Sequence, residues 1–397
     1  MLGILSAILL AGAVVLLIPT LTLAAQLFAS FLPARSGAGH SVTTSDRLPL
    51  AVVVPAHNEE RGVGRTIASI RSQLKPHDRL VVVADNCSDR TEHVARDSGA
   101  DVIVRNDTAR IGKGYALAAG FDHLAQTGLP PLVVFVDSDC VLQPNALDRL
   151  SGEAHRTGCP VQGLYLMRSP ANSGAQGKIA EVAWRVRNHF RPLGLSRLGL
   201  GCPLMGSGMA IPSERLLSVT LGNGHIVEDT VLGVEFARQG YAPRFCESAV
   251  ITSEFPASRS GLAAQRSRWI HGNLEVMLNY APALIGSSLR RMDPRALALG
   301  FDLLIPPLTV LLFVNTLALT CMAAWMLVSG DRNPFLVSFS GFSLLVAALA
   351  LIWVFRVRKT VALGDFRQLP GFFRMILDII LNFGTGKRSG WTRSDRS

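Results

Sequence analysis

No charged residue occurs before Arg35. Ile4 to Leu32 therefore forms an uninterrupted apolar stretch, longer than the roughly 20 residues a bilayer span needs. A cleavable secretory leader would open on a basic segment and carry a shorter apolar core; both are missing, so the reading is a retained membrane anchor. Zinc-type cysteine spacing is absent too. Cys87, Cys140, Cys159, Cys202, Cys246 and Cys321 make no C-x-x-C pair and no His/Cys cluster, which leaves reduced, isolated thiols in a cytoplasmic domain as the simplest reading. Two nucleotide-binding signatures fail on spacing. Gly62-Val63-Gly64 has no third glycine at the offset a dinucleotide fold requires, and Gly112-Lys113-Gly114 has Asp107 where a P-loop has its leading glycine and Gly114 where it has Ser or Thr. A dehydrogenase and a P-loop ATPase are thereby excluded.

What the chain has in excess is apolar surface: 49% hydrophobic residues, 17% charged ones and a mean hydropathy of +0.32. Leu303 to Val328 and Phe335 to Phe355 are uncharged stretches parted by the polar turn Ser329-Gly330-Asp331-Arg332-Asn333, the pattern of a transmembrane hairpin. Arg35 and Arg47 follow the first span, Arg290, Arg291 and Arg295 precede the second, and Arg356, Arg358 and Lys359 follow the third. The positive-inside rule places all these clusters on one side and makes the large central region cytoplasmic, in a multi-pass protein of the inner membrane. Gly371 to Phe383 is apolar but contains Arg374 and Asp378, and a basic tail with Lys387, Arg388, Arg393 and Arg396 follows; this reads as an interfacial amphipathic helix. The expected organisation is an anchor over residues 1–34, a catalytic domain over 46–280, a transmembrane hairpin over 300–357, and the interfacial helix with its tail over 366–397. The net charge of +10 needs no nucleic-acid partner, because positive-inside bias and anionic lipid heads account for it.

In the central region, strand-like runs Leu50–Val54, Leu80–Ala84, Val102–Val104 and Leu132–Val136 alternate with helical stretches Gly64–Gln73, Thr91–Asp97 and Lys113–Ala125. Such alternation predicts an α/β domain with a mostly parallel, doubly wound sheet. The strands are nearly continuous in Val, Leu and Ile, as when both faces are covered. Three of them end in polar clusters: Pro55-Ala56-His57-Asn58-Glu59, Asp85-Asn86-Cys87-Ser88-Asp89 and Asp137-Ser138-Asp139. Carboxyl strand ends are where such sheets bind ligands. The Asp137/Asp139 pair, one residue apart, calls for a hard divalent cation and a phosphorylated substrate to offset its repulsion. Cys140 beside it is either a soft-metal ligand or filler behind the site. Gly177 to Phe190 reads equally as a membrane-surface helix or a packed surface helix. Met205 to Ile211 reads as a short strand whose Gly206-Ser207-Gly208 admits a ligand to the backbone or forms a bulge.

Taken in order, Val54-Pro55-Ala56-His57-Asn58-Glu59-Glu60, Ala84-Asp85-Asn86, Gly112-Lys113-Gly114, Asp137-Ser138-Asp139, Gly206-Ser207-Gly208, Glu228-Asp229-Thr230 and Gln265-Arg266-Ser267-Arg268-Trp269 resemble the membrane-bound family 2 glycosyltransferases. These include the cellulose, chitin and hyaluronan synthases and bacterial exopolysaccharide enzymes. The resemblance implies a GT-A fold, a nucleotide-sugar donor that is usually a uridine diphosphate sugar, and Mg²⁺ or Mn²⁺ as cofactor. It places Pro55, His57 and Glu59 around base and ribose, with His57 where the family more often has Tyr. Asp85 would accept from the base, and Lys113 would lie near the diphosphate. Asp139 would hold the metal, with Asp137 on metal or ribose. Arg268 would clamp the phosphates through a bidentate guanidinium.

Asp229 is the family's general base, and one base acting in a direct displacement inverts the anomeric carbon; Glu228 is its local competitor, and an N-terminal helix cap is the plain structural alternative for Asp229. Gly206, Ser207, Gln265 and Trp269 would face the acceptor, with Gln265 and Trp269 on one helix face. Trp269 on its own would equally suit a core or interface position. The acceptor implied is a growing polysaccharide, or alternatively a lipid-linked saccharide, with membrane lipids and other polysaccharide assembly or export proteins as further partners. A non-catalytic membrane scaffold of such an assembly system is the reading of a different class; the intact acidic and Arg/Trp positions argue against it.

Overall fold

The computed structural model describes residues 2–34, 47–170, 173–222, 224–225, 227–256, 259–368 and 371, with the backbone alone for 257–267 where described. The interfacial helix and basic tail expected after Gly371, and the side chain of Gln265, lie outside the described residues.

The central domain is built on one sheet whose strands are β1 (Leu50–Ala56), β2 (Arg79–Asp85), β3 (Asp101–Arg105), β4 (Leu132–Phe135), β5 (Val141–Leu142), β6 (Val161–Arg168), β7 (Met209–Pro212) and β8 (Arg244–Glu254). Their order is β3-β2-β1-β4-β7-β6-β8-β5. The first four run parallel, as the alternation of strands and helices predicts. Alternate residues of these strands feed opposite layers. Val52, Val54 and Val82 pack with Ile67 and Ile70 of the helix Val63–Arg71, whereas Val53, Val81 and Val83 pack with Leu117, Phe121 and Leu124 of the helix Lys113–Thr127. Burial on both faces is what makes these strands continuously apolar, and each such side chain contributes about 1.5–3 kcal/mol.

Beyond β4 the sheet is mixed: β7 is antiparallel to β4 and β6, β8 runs parallel to β6, and β5 is antiparallel to β8. The strand expected over Met205–Ile211 begins only at Met209. Gly206 and Gly208 have φ of +91° and +70°, a left-handed conformation outside strand geometry, so the Gly-Ser-Gly segment is a turn leading into β7.

Three helices, Leu2–Ala29, Leu308–Ser329 and Asn333–Val357, are long and apolar enough to cross a membrane. They join the central domain through one apolar cluster, in which Leu23, Leu27, Leu311, Ile352 and Val357 meet Val186 and Phe190. The segment expected as one helix over Gly177–Phe190 is an α-helix, Gly174–Arg185, continued by a π-helical turn, Val186–Phe190. Its final turn joins the apolar cluster of these helices through Val186 and Phe190. A polar clasp reinforces the joint: the Gln26 amide donates to the buried Asp302 carboxylate at 2.9 Å, and Arg191 pairs with the same carboxylate at 3.0 Å. Gly194 lies against the backbone carbonyl of Gln26, so close that any Cβ there would collide with it.

Candidate active site

The ends of the first three strands are tied together by asparagines. Asn58 and Asn86 have φ of 55° and 50°, a left-handed conformation that Asn tolerates better than most residues. Turning the chain there aims each amide at the adjacent loop: Asn58 Oδ1 accepts the Ser88 N–H at 2.7 Å, and Asn86 Oδ1 accepts the Asp107 N–H at 2.9 Å. His57 Nδ1 lies 2.7 Å from the Asp85 carbonyl oxygen, which fixes the imidazole beside Asp85. Pro55 is partly buried at the end of β1, and the Glu59 N–H donates to Thr91 Oγ1 at 2.7 Å.

Asp85 is the centre of this half of the site. Its buried carboxylate accepts on Oδ1 from Arg105 at 2.6 Å and from the Asn86 amide at 3.0 Å, while Oδ2 is buried with no hydrogen-bond partner among the described residues. A buried acceptor left unmatched costs about 1–3 kcal/mol, so it marks a position for an incoming N–H or O–H. Arg105, not singled out from the sequence, also pairs with Asp107 at 3.1 Å and lies over the Tyr115 ring at 5.6 Å. It is legible in retrospect. Arg105 closes β3 in direct register with Asp85, the last residue of β2.

Val136 carries β4 into Asp137-Ser138-Asp139, and here distant parts of the chain converge. Lys113, at the start of its helix, sets its ammonium 2.5 Å from Asp137 Oδ1 and 3.5 Å from Glu228, and donates to the Gly206 carbonyl at 2.8 Å. A Cβ on Gly206 would stand 3.2 Å from Asp229 Oδ2, 3.5 Å from Lys113 Nζ and 3.9 Å from Asp137 Oδ2. The absent side chain thus leaves open the space those three groups share. Ser207, expected at the acceptor, is fully buried instead: its Oγ accepts the Asp137 N–H at 3.1 Å and donates to Cys140 Sγ at 3.2 Å. It positions Asp137 from behind.

Ligand atoms of Asp137, Asp139 and Cys140 lie within 4.8 Å of one another, a grouping that can hold a metal ion. Cys140 donates to Asp139 Oδ1 at 3.3 Å. Burial, aided by the Asp137 charge, pushes its thiol up to about 12. Fully buried and hydrogen-bonded to Ser207, Cys140 fills space behind the carboxylates, while their oxygens suit a hard cation.

Asp229 stands in the first turn of the helix Glu228–Arg238, whose N-cap is Val227. Val227 rather than Asp229 holds the N-cap position; Asp229 Oδ1 accepts the adjacent Thr230 N–H at 2.7 Å and the Thr230 hydroxyl at 3.4 Å, while Oδ2 lies toward Gly206. Burial raises the pKa of Asp229, with Lys113, the Thr230 N–H and Arg187 opposing that rise. Burial also pushes Glu228 up to about 7, against the pull of Lys113 and with the help of Asp229. For Lys113, burial disfavours the ammonium, but Asp137, Glu228 and Asp229 outweigh it and hold its pKa above the ordinary value.

Trp269, expected at the acceptor, is half-buried in the helix Arg259–Asn279 and packs against Trp184, ring centroids 4.9 Å apart and planes 37° apart. Trp269 and Thr230 line a cavity of about 150 Å³ whose far wall is Leu23 and Ile305 to Thr309. Arg268 is half-buried on the same helix, and desolvation lowers its pKa.

Comparison with known proteins accords with this geometry. A model of the family described as glycosyltransferase like family 2 matches residues 47–272. Over 113 residues, 28% of this chain and 29% of the relative, the sequence is 33% identical to the 4,4'-diaponeurosporenoate glycosyltransferase of Staphylococcus aureus. Over 255 residues, 58% of this chain and 56% of the relative, it is 26% identical to the probable glycosyltransferase YdaM of Bacillus subtilis. The chain thus spans 29% and 56% of the lengths of these curated relatives. Among solved structures, the mannosyltransferase PcManGT from Pyrobaculum calidifontis, in complex with GDP-Man and Mn²⁺, superposes with a TM-score of 0.57 at 16% identity, covering 98% of this chain and 100% of that one. A likeness at that identity establishes a common fold, whereas the match over residues 47–272 spans more than half the sequence, and by it the chain belongs to the family 2 glycosyltransferases.

Proposed function

We propose that this glycosyltransferase takes a sugar from a nucleoside-diphosphate donor, expected to be a uridine one, and transfers it with inversion to an acceptor at the cytoplasmic face of the inner membrane. The observation that carries the reading is the convergence of Asp137, Lys113 and Asp229 on the open face of Gly206. The unmatched Oδ2 of Asp85 suits a donor group on the nucleotide base, with His57, Pro55 and Glu59 around it. Asp137 and Asp139 fit Mg²⁺ or Mn²⁺, because two exposed-edge carboxylates and a neutral thiol offer hard oxygens at one place. A bound ion there would neutralise charge building on the departing diphosphate.

Asp229 acts as general base. Its Oδ2 takes the proton of the acceptor hydroxyl, the acceptor oxygen bonds to the anomeric carbon, and the bond from that carbon to the diphosphate oxygen breaks with its electron pair leaving on the nucleotide. Burial, which raises its pKa, makes the carboxylate a better proton acceptor than a solvated aspartate. Arg268 reaches the phosphates as a second cation, and Gln265 and Trp269 receive the acceptor. The organisation that goes with this reading is an anchor over 1–34, catalysis over 46–280 and a hairpin over 300–357, which the three apolar helices support.

Of the two acceptor classes left open by the sequence, a growing polysaccharide and a lipid-borne molecule, the cavity favours the second. It joins Thr230 and Trp269 to residues of the apolar helices, a route suited to an acceptor arriving from the bilayer. A relative's name, 4,4'-diaponeurosporenoate glycosyltransferase, names an acceptor other than a polysaccharide for that protein. The test is to incubate the full chain in lipid nanodiscs with a panel of radiolabelled nucleotide sugars, with and without EDTA, and to extract and size the product. Metal-dependent consumption of one donor with label in the organic phase is expected. High-mass polymer would return the acceptor to the polysaccharide class, and transfer indifferent to EDTA would remove Asp137 and Asp139 from their metal role.

A further inference from the structure

The cavity behind Asp229 has a charge imbalance. Among the described residues, its ionisable lining side chains are Arg187, Arg191 and Asp302. Arg191 and Asp302 neutralise each other at 3.0 Å. Arg187 has no such match: it meets Asn273 Oδ1 at 3.5 Å, and no carboxylate among the described residues lies within ion-pair distance of it. Asp229 influences it only through space, and desolvation lowers its pKa. A guanidinium held largely out of water without an anion is costly, and the cost falls when an anion is supplied.

The remaining wall is mostly apolar, with Thr230, Asn273 and Thr309 as its polar members, and its apolar part comes from two sources. Ile179, Ala183, Trp184 and Trp269 belong to the catalytic domain, whereas Leu23 and Leu308 belong to helices long and apolar enough to cross a membrane. A cavity of about 150 Å³ holds a group roughly the size of benzene, which is one segment of a longer hydrocarbon chain. Resting on the lipid-borne acceptor reading above, we propose that this cavity receives the end of an acidic amphiphile, whose phosphate or carboxylate head pairs with Arg187 and whose chain runs past Ala183 and Leu308 toward the bilayer. A hydroxyl carried by the same molecule near that head is then set beside Thr230, where Asp229 takes its proton. Two guanidiniums against one carboxylate select a head with net negative charge over a neutral alcohol.

Bromine-tipped undecyl phosphate, undecanoate and undecanol are suitable probes, because bromine quenches the indoles of Trp184 and Trp269 on contact. In nanodiscs holding the full chain, both acidic probes are expected to quench saturably at roughly tenfold lower concentration than the alcohol. The stronger of the two acids identifies the head as a phosphate or a carboxylate. Arg187→Gln should erase the preference for acids, Arg187→Lys should keep part of it, and Ala183→Phe should block saturable quenching by all three probes. Calorimetric binding of nucleoside diphosphate to each variant confirms that the domain is folded. Equal affinity of acids and alcohol for the natural chain, or an unchanged preference in Arg187→Gln, would overturn the proposal. Selective binding of acids without transfer from any donor would instead sink the catalytic reading and leave the amphiphile site standing.

Discussion

The two halves of the catalytic sheet are put together differently. On the β3-β2-β1-β4 side, every group around Asp85 comes from a strand end or the loop just after it, and parallel register alone brings Arg105 beside Asp85. On the β7-β6-β8-β5 side, the pocket draws on the helix Glu228–Arg238, the helix Arg259–Asn279, the π-helical turn Val186–Phe190 and the ends of two membrane-length helices. A site built from consecutive strand ends is held by the sheet itself, so its chemistry is fixed with its fold. A site built from several packed helices can change its acceptor by altering one helix and leaving the donor chemistry intact. Under the proposed assignment, the difference makes donor and acceptor recognition physically separable, with Gly206 as their meeting point.

The strongest test of that separation is Asp229→Asn. Loss of the base should lower transfer by about 10²–10⁴-fold, while nucleotide affinity measured by calorimetry stays within about twofold. A matching collapse of nucleotide binding would mean that the two halves are one unit. The reciprocal change is Asp85→Asn. It replaces the buried carboxylate paired with Arg105 at 2.6 Å, and should raise the donor KM by roughly tenfold with acceptor KM unmoved. A shift confined to the acceptor KM would reverse the assignment of the halves.

How much the sequence discloses follows the same division. The strands Leu50–Ala56 and Arg79–Asp85 and their polar ends are legible because a doubly covered strand must be apolar throughout and must stop where the chain turns to solvent. The helix Thr91–Asp97 and the apolar span Leu308–Ser329 are legible for similar local reasons. Ser207 is not: a hydroxyl between glycines suits a ligand, and only the fold shows it buried behind Asp137. Arg187 was hidden inside a mixed apolar and basic stretch, since its isolation depends on Arg191 having taken Asp302, a residue more than a hundred positions away. The antiparallel placing of β7 next to β4 is equally non-local, and the turn at Gly206 shifts the start of that strand to Met209.

The smallest effect is also the one that discriminates most finely at the junction. Glu228 competes with Asp229 for the role of base, but its carboxylate pairs with Lys113, at 3.5 Å, whereas the open face of Gly206 is met by Asp229. Burial pushes the Glu228 carboxyl from 4.5 up to about 7 in the folded chain, so between those values the folded state holds a proton that the unfolded state has released. Stability therefore falls as pH rises through that window, the reverse of a salt-bridged carboxylate with a depressed pKa. Glu228→Gln mimics the protonated form. Measured without metal by thermal unfolding, the variant should match the natural chain near the acidic end of the window and exceed its Tm by about 2–4 °C above the window. Transfer should persist within about tenfold, because the proton goes to Asp229. A variant with normal stability and no transfer would move the base from Asp229 to Glu228, and with it the point where acceptor oxygen and donor carbon meet.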